Sequence, residues 1–210
     1  MPYPSVKEFE KILLTLPLEE IVQEHLFGGE PYVFRTSARA HTLLKQHVSQ
    51  HLNTPEDDIR IVGSARIGFS LSPDSFGRQF SAESDIDVIV INEQLFDLIW
   101  MTLLRWHYPR RNQPFGSLRE WASSRRRDVF LGWFTPHQIQ FNPDLPFPQV
   151  LSPLRDHAAL WFDTFRSLAR YPEFAKRDVS GRLYRTWDHA LLYHVAGLSQ
   201  IKQSIPGAPQ

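Results

Sequence analysis

Apolar residues recur along the chain at two spacings, and each spacing predicts one kind of element. A spacing of three or four residues is typical of helices whose apolar side faces a core. It predicts helices over residues 5–16, 18–27, 37–52, 94–106, 118–127, 154–170 and 180–203. Short apolar runs predict strands over residues 59–62 and 88–91, with 32–34, 129–134 and 138–141 as further extended segments.

These elements predict a protein of the α/β class, in the broad sense that includes α+β, with a small mixed sheet. A proline-rich connector over residues 142–153 separates most of the predicted strands from the last two predicted helices. We therefore expect a core with N-terminal helices over residues 1–150 and a C-terminal helical region over residues 151–210 that packs on it.

Composition narrows the function only slightly. The 23 basic and 23 acidic residues balance, so net charge gives no argument for binding to nucleic acid or to a membrane. The absence of cysteine excludes disulfides and thiolate metal sites. No apolar run approaches the roughly 18 residues that span a bilayer, and the first residues lack the apolar core of a signal peptide. A cytoplasmic location without membrane contact is the expectation.

The stretch over residues 59–92 carries the chemistry: IRIVGSARIGFSLSPDSFGRQFSAESDIDVIVIN. A short predicted strand ends at Gly63-Ser64. A long polar segment over residues 65–84, here called the polar excursion, follows and leads through Asp85-Ile86-Asp87 into a β-branched run. Alternate side chains of a strand share a face, so both carboxylates point the same way at the entrance of a buried strand. Two adjacent carboxylates repel each other unless a cation lies between them. Oxygen ligands beside a phosphate-binding bend suit Mg²⁺.

Gly63-Ser64 followed, after 20 residues, by Asp85-x-Asp87 resembles the signature of the DNA polymerase β-type nucleotidyltransferase superfamily. Gly68 and Pro73 make the stretch most similar to bacterial signalling members related to cyclic-oligonucleotide synthases, although Phe69 stands where those enzymes usually carry threonine. The resemblance covers residues 59–92 and is only architectural elsewhere.

The resemblance implies a polymerase β-like core and a Mg²⁺- or Mn²⁺-dependent transfer of a nucleoside monophosphate from a nucleoside triphosphate to a hydroxyl acceptor. It implies that Asp85 and Asp87 hold the metal and that Gly63, Ser64, Arg66 and Gly68 bind the nucleotide. The acceptor could be a nucleotide, a nucleic-acid end or a protein. Antiphage defence or toxin–antitoxin signalling is a context implied by the resemblance alone.

Several assignments stay open. Arg66 and Arg78 either clamp the triphosphate or are solvated. The basic residues 110, 111 and 125–127 either form an anion-binding patch or cap a helix. Tyr184, Tyr193 and Phe69 are candidates for base stacking, with simple burial as the alternative.

The resemblance also implies a third metal-binding carboxylate at the centre of a downstream strand. The sequence has no acid at the matching position. The downstream strand candidate reads Ile139-Gln140-Phe141, so the neutral Gln140 would be a weak ligand, and Asp128 and Asp144 are alternatives. A catalytically silent nucleotide-binding subunit that works with a partner protein is therefore a second interpretation. A third is a metal-independent ribonuclease that uses Arg182 and His189, which would share one face of a helix seven residues apart.

Overall fold

The computed structural model describes residues 3–110, 119–136, 152–174 and 177–206. The helices in chain order are α1 (Val6–Thr15), α2 (Leu18–Ile21), α3 (Ala38–Leu52), α4 (Ser64–Ile67), α5 (Glu93–His107), α6 (Arg119–Phe130), α7 (Ser152–Ser167) and α8 (Trp187–Ser204). The strands are β1 (Ile59–Val62), β2 (Ile86–Ile91), β3 (Trp133–Phe134) and β4 (Val179–Tyr184).

The four strands form one mixed sheet in the order β1-β2-β4-β3. Strand β2 pairs antiparallel with β1 and parallel with β4, and β3 pairs antiparallel with β4. Within the described residues, eight α-helices together with this sheet confirm the expected α/β class and the small mixed sheet.

Strand β2 is covered on both faces, as its unbroken apolar sequence predicts. Val88 and Val90 lie in the main core cluster together with side chains of α3, α5 and α7. Ile89 and Ile91 point to the opposite face, where they pack with Tyr184 and other side chains near the start of α8. Asp87 has the parity of Ile89, so the acidic end of β2 faces the side of the sheet that α8 covers.

The helix ends follow their local sequence. Ser5 caps α1 and forms a capping box with Glu8, the arrangement that a serine followed three residues later by a glutamate favours. Asn92 and Thr186 cap α5 and α8 through their side chains. Among the described residues no helix has both the length and the apolar character that crossing a membrane requires.

Three predicted elements are wrong in type or extent. Tyr32–Phe34 is a turn of 3-10 helix instead of an extended segment. Val129 and Phe130 complete α6, so only Trp133–Phe134 of the predicted strand 129–134 is extended. The predicted helix over residues 180–203 is β4 followed by α8, which means that the C-terminal part supplies an inner strand of the sheet. The strand candidate over residues 138–141 lies outside the described residues.

Gly181 explains how α7 approaches β4 closely. A Cβ atom at this position would lie 2.1 Å from Cζ of Phe165 on α7. The indole nitrogen of Trp161, one turn earlier on α7, donates a hydrogen bond of 3.2 Å to the Gly181 carbonyl. The sheet and α7 therefore meet over a position that has no side chain.

We expect Gly181→Ala to lower the free energy of unfolding by about 1–3 kcal/mol, because the added methyl group overpacks this contact. The matched control is Gly197→Ala on α8, where an added Cβ would meet nothing within 4 Å. Alanine is the better helix former, so the control should gain up to about 1 kcal/mol. Chemical denaturation of both variants measures the difference, and equal effects of the two substitutions would contradict the close contact.

Candidate functional site

The register of β1 and β2 brings the two halves of the sequence motif together. Val62, the last residue of β1, pairs with Asp87 of β2. Gly63 follows at φ 66°, a conformation that favours glycine, and a Cβ atom there would lie 3.0 Å from Oδ2 of Asp87. The glycine thus lets the backbone bend pass directly against the carboxylate.

This bend and both acids line one large open cavity of about 1550 Å³. Its walls come from the end of β1, the start of β2, the polar excursion, β4, the segment around β3, and α8. The polar and aromatic residues that line it include Gly63, Ser64, Arg78, Asp85, Asp87, Ser180, Arg182, Trp133, Tyr184, His189, Tyr193 and His194. The volume exceeds the range of about 300–1000 Å³ usual for small-molecule sites, so a nucleotide would fit with room for a second molecule.

Asp87 is exposed at the open cavity, but the protein atoms around its carboxylate disfavour the charge. Burial raises the pKa of Asp87, and the negative charge of Asp85 adds to the shift. Two groups oppose the shift: the Ser180 hydroxyl, which donates to Oδ1 of Asp87 at 3.3 Å, and the positive charge of Arg182. A cation added beside this carboxylate would stabilise its ionised form.

Arg182 is the cation that β4 contributes to the cavity. Its guanidinium carbon lies 4.8 Å from the ring centre of Trp133 and 4.6 Å from that of Tyr193. Burial acts to lower the pKa of Arg182, but the phenol groups of Tyr184 and Tyr193 outweigh it and the pKa is raised. Burial, followed by the charge of Arg182, lowers the pKa of His194 to about 4, so this imidazole is neutral at pH 7.

The place beside Asp87 on the parallel strand β4 holds no acid. Ser180 is the residue paired with Asp87, and Arg182 follows on the same face of the sheet. Asp128 is 1% exposed and pairs with Arg125 at 2.9 Å, and burial raises its pKa. Gln140 and Asp144 lie outside the described residues. Within the part of the chain that the structure describes, no three histidine or acidic side chains form a group that could hold a metal.

The remaining nucleotide-binding candidates divide between two places. Gly63, Ser64 and Arg78 line the cavity, whereas Arg66 and Gly68 do not. Arg66 points away from it and donates a hydrogen bond to the carbonyl of Glu30. Gly68 ends α4 at φ 96° beside the ring of Tyr32, which is a structural role in turning the chain.

Some of the candidates for base stacking line the large cavity and one does not, and the candidate Arg182/His189 pair is divided between two elements. Tyr184 and Tyr193 line the cavity, but Phe69 is buried in a core cluster with Phe9. Arg182 lies on β4 and His189 on α8, so the predicted shared helical face is wrong, although both side chains reach the same cavity. Sequence reasoning missed Ser180, Trp133 and His194, and no local motif could have found them, because the sheet and α8 bring them there.

Searches of this chain against protein-family models, curated proteins and solved structures find no match.

The donor set fits a hard divalent cation. Asp85 and Asp87 supply carboxylate oxygens, which Mg²⁺ prefers, and burial raises the pKa of Asp87 although Ser180 and Arg182 act to lower it. The two acids leave most of the coordination positions to water or to phosphate oxygens, as is usual for Mg²⁺.

We expect Asp87→Asn to raise the melting temperature at pH 7. The raised pKa of Asp87 means that the folded state disfavours the ionised carboxylate more than the unfolded state does. The gain should shrink as the pH falls through the raised pKa, because the wild-type carboxyl then takes up a proton on its own. Thermal unfolding at a series of pH values below 7 measures the trend.

Asp74→Asn removes one exposed carboxylate from the same polar excursion and serves as the control. A lower melting temperature for Asp87→Asn at pH 7 would contradict the prediction, since it would mean that Ser180 and Arg182 stabilise the charge more than burial opposes it.

Proposed function

We propose that the large cavity binds a nucleoside triphosphate together with Mg²⁺ or Mn²⁺, and that the chain transfers the nucleoside monophosphate to a hydroxyl acceptor. The observation that supports this most is the contact between the Gly63-Ser64 bend and the Asp87 carboxylate at the wall of this cavity. A phosphate-binding bend and a metal-binding acid must be adjacent if one metal-bound triphosphate is to reach both.

In this function the protein mainly positions the substrate and neutralises the charge of its phosphates. The Gly63-Ser64 backbone and the Ser64 hydroxyl would hold phosphate oxygens, and Arg78 from the polar excursion would add a positive charge. Asp85 and Asp87 would hold the metal. When bound, the metal would neutralise phosphate oxygens and make the acceptor hydroxyl easier to deprotonate.

The aromatic wall of the cavity would receive the base. Tyr193 is partly exposed there, and one side of its ring already carries Arg182. Stacking tolerates any base, so this wall by itself selects no particular nucleotide. The open volume leaves space for an acceptor, which could be a second nucleotide, a nucleic-acid end or a protein side chain. The nucleoside triphosphate pool would place the protein in the cytoplasm.

A second candidate is a catalytically silent nucleotide-binding subunit that acts with a partner protein. Ser180 and Arg182 favour it, because they occupy the strand beside Asp87 where a third carboxylate would complete the metal site. A guanidinium there can compensate phosphate charge, but it cannot bind a metal or accept the proton of an attacking hydroxyl.

Incubation with each labelled nucleoside triphosphate and Mg²⁺ or Mn²⁺ tests both candidates. The transferase should release pyrophosphate, and Asp85→Asn/Asp87→Asn should lower the rate by at least about 100-fold, because it removes the charges that hold the metal. Equilibrium binding of the same nucleotides should weaken in the double variant whenever Mg²⁺ is present.

The control is Asp74→Asn/Asp163→Asn, which removes two exposed carboxylates that do not themselves line the cavity. Pyrophosphate release that survives Asp85→Asn/Asp87→Asn would reject the site. Tight Mg²⁺-dependent nucleotide binding without any release would identify the silent subunit, and the absence of both binding and release would reject both candidates.

A further inference from the structure

We propose that a second, smaller cavity is a binding site for a small phosphate-type anion, separate from the large cavity. It has a volume of about 240 Å³ and lies where the loop after α2, α3, β1 and α4 meet. The lining includes Gly29, His41, Lys45, Arg60 and Arg66.

The charges of this cavity are unbalanced, although the whole chain is neutral. Three of its lining residues are cations, and no lining residue is an acid. Asp57 reaches Lys45 at 3.9 Å, but Asp57 is 96% exposed, so solvent screens the pair. Arg60 donates a hydrogen bond of 2.9 Å to the carbonyl of the preceding residue, Ile59, and its guanidinium carbon lies 5.3 Å from the ring centre of Trp187.

Contacts within the protein do not fully explain why Arg66 is buried. Its side chain is 7% exposed, and no ion pair is found for it among the described residues. One nitrogen donates to the Glu30 carbonyl, but Nε is buried without a hydrogen-bond partner. A buried guanidinium without a counter-charge costs stability, and an anion in the adjacent cavity would supply that charge.

The pKa of His41 indicates that the positive charges of Lys45, Arg60 and Arg66 lie around one place. Burial is the first cause that lowers the pKa of His41 to about 4, and Lys45, Arg60 and Arg66 follow as the next causes. Cations from α3, β1 and α4 therefore converge around the imidazole, which is neutral at pH 7. A phosphate oxyanion placed among them would accept charge-assisted hydrogen bonds from three directions.

The loop that closes the cavity leaves room for such a ligand. Gly29 adopts φ +71°, and a Cβ atom there would lie 3.1 Å from Nη2 of Arg66. The loop follows a π-helical turn, Val22–Phe27, and π-turns often occur at functional sites. The volume is below the range of about 300–1000 Å³ usual for drug-sized ligands, so the cavity suits a phosphate or pyrophosphate group better than a whole nucleotide.

Isothermal titration with inorganic phosphate and with pyrophosphate, at pH 8 and constant ionic strength, tests the proposal. Wild-type protein should show saturable binding of at least one of them. Lys45→Gln and Arg60→Gln should each weaken it about tenfold or more, because each removes a charged donor. These two residues are partly exposed, so their variants should fold even if Arg66→Gln does not.

Two variants of the large cavity separate this proposal from the nucleotide proposal. In titrations without a divalent metal, Arg78→Gln and Asp85→Asn/Asp87→Asn should leave unchanged the phosphate or pyrophosphate binding that Lys45→Gln and Arg60→Gln weaken. The absence of saturable binding by wild-type protein, unchanged binding in Lys45→Gln and Arg60→Gln, or equal weakening in Arg78→Gln would each overturn the site. A parallel titration with a nucleoside monophosphate shows whether the anion is free or is carried by a nucleotide: binding with the same dependence on Lys45 and Arg60 indicates the nucleotide.

Discussion

The approach of the Asp87 carboxylate to the Gly63-Ser64 bend is the constraint on which the site depends. The pairing of Val62 with Asp87 in the antiparallel β1–β2 ladder fixes it, and the positive φ of Gly63 makes it sterically acceptable. The acid stays at the cavity because a slip of β2 by one residue would turn Asp87 to the opposite face of the sheet, where Ile86 and Val88 are buried in the main core cluster.

The strand on the other side of β2 gives the site a mixed electrostatic character. Ser180 and Arg182 partly compensate Asp87, and the aromatic rings of Trp133 and Tyr193 hold the guanidinium in place. A divalent cation at the acids and the fixed cation of β4 would both act on a bound triphosphate. In the proposed function this combination suits the binding of a polyanion.

The one-turn helix α4 connects two cavities of different charge. Its start, at Gly63-Ser64, belongs to the cavity that contains the acids, and Arg66 near its end belongs to the cavity that contains the cations. Gly68 then reverses the chain beside Tyr32. The GSARIG segment therefore reads as one local motif, but its polar residues serve opposite sides of a short helix. Neutral overall composition conceals this separation of charge.

The sequence by itself determined the α/β class, the strands β1 and β2 and the capped start of α1, because these follow from hydrophobic runs and local hydrogen bonds. It also indicated that Asp85, Asp87, Gly63 and Ser64 belong together. Only the tertiary structure decided that Val179–Tyr184 is an inner strand: its stripe runs on into α8 at helical spacing, and pairing with β2 and close contact with α7 override that pattern. The same pairing, between segments far apart in the chain, places Ser180 and Arg182 beside Asp87, and such long-range contacts leave no signal in local sequence.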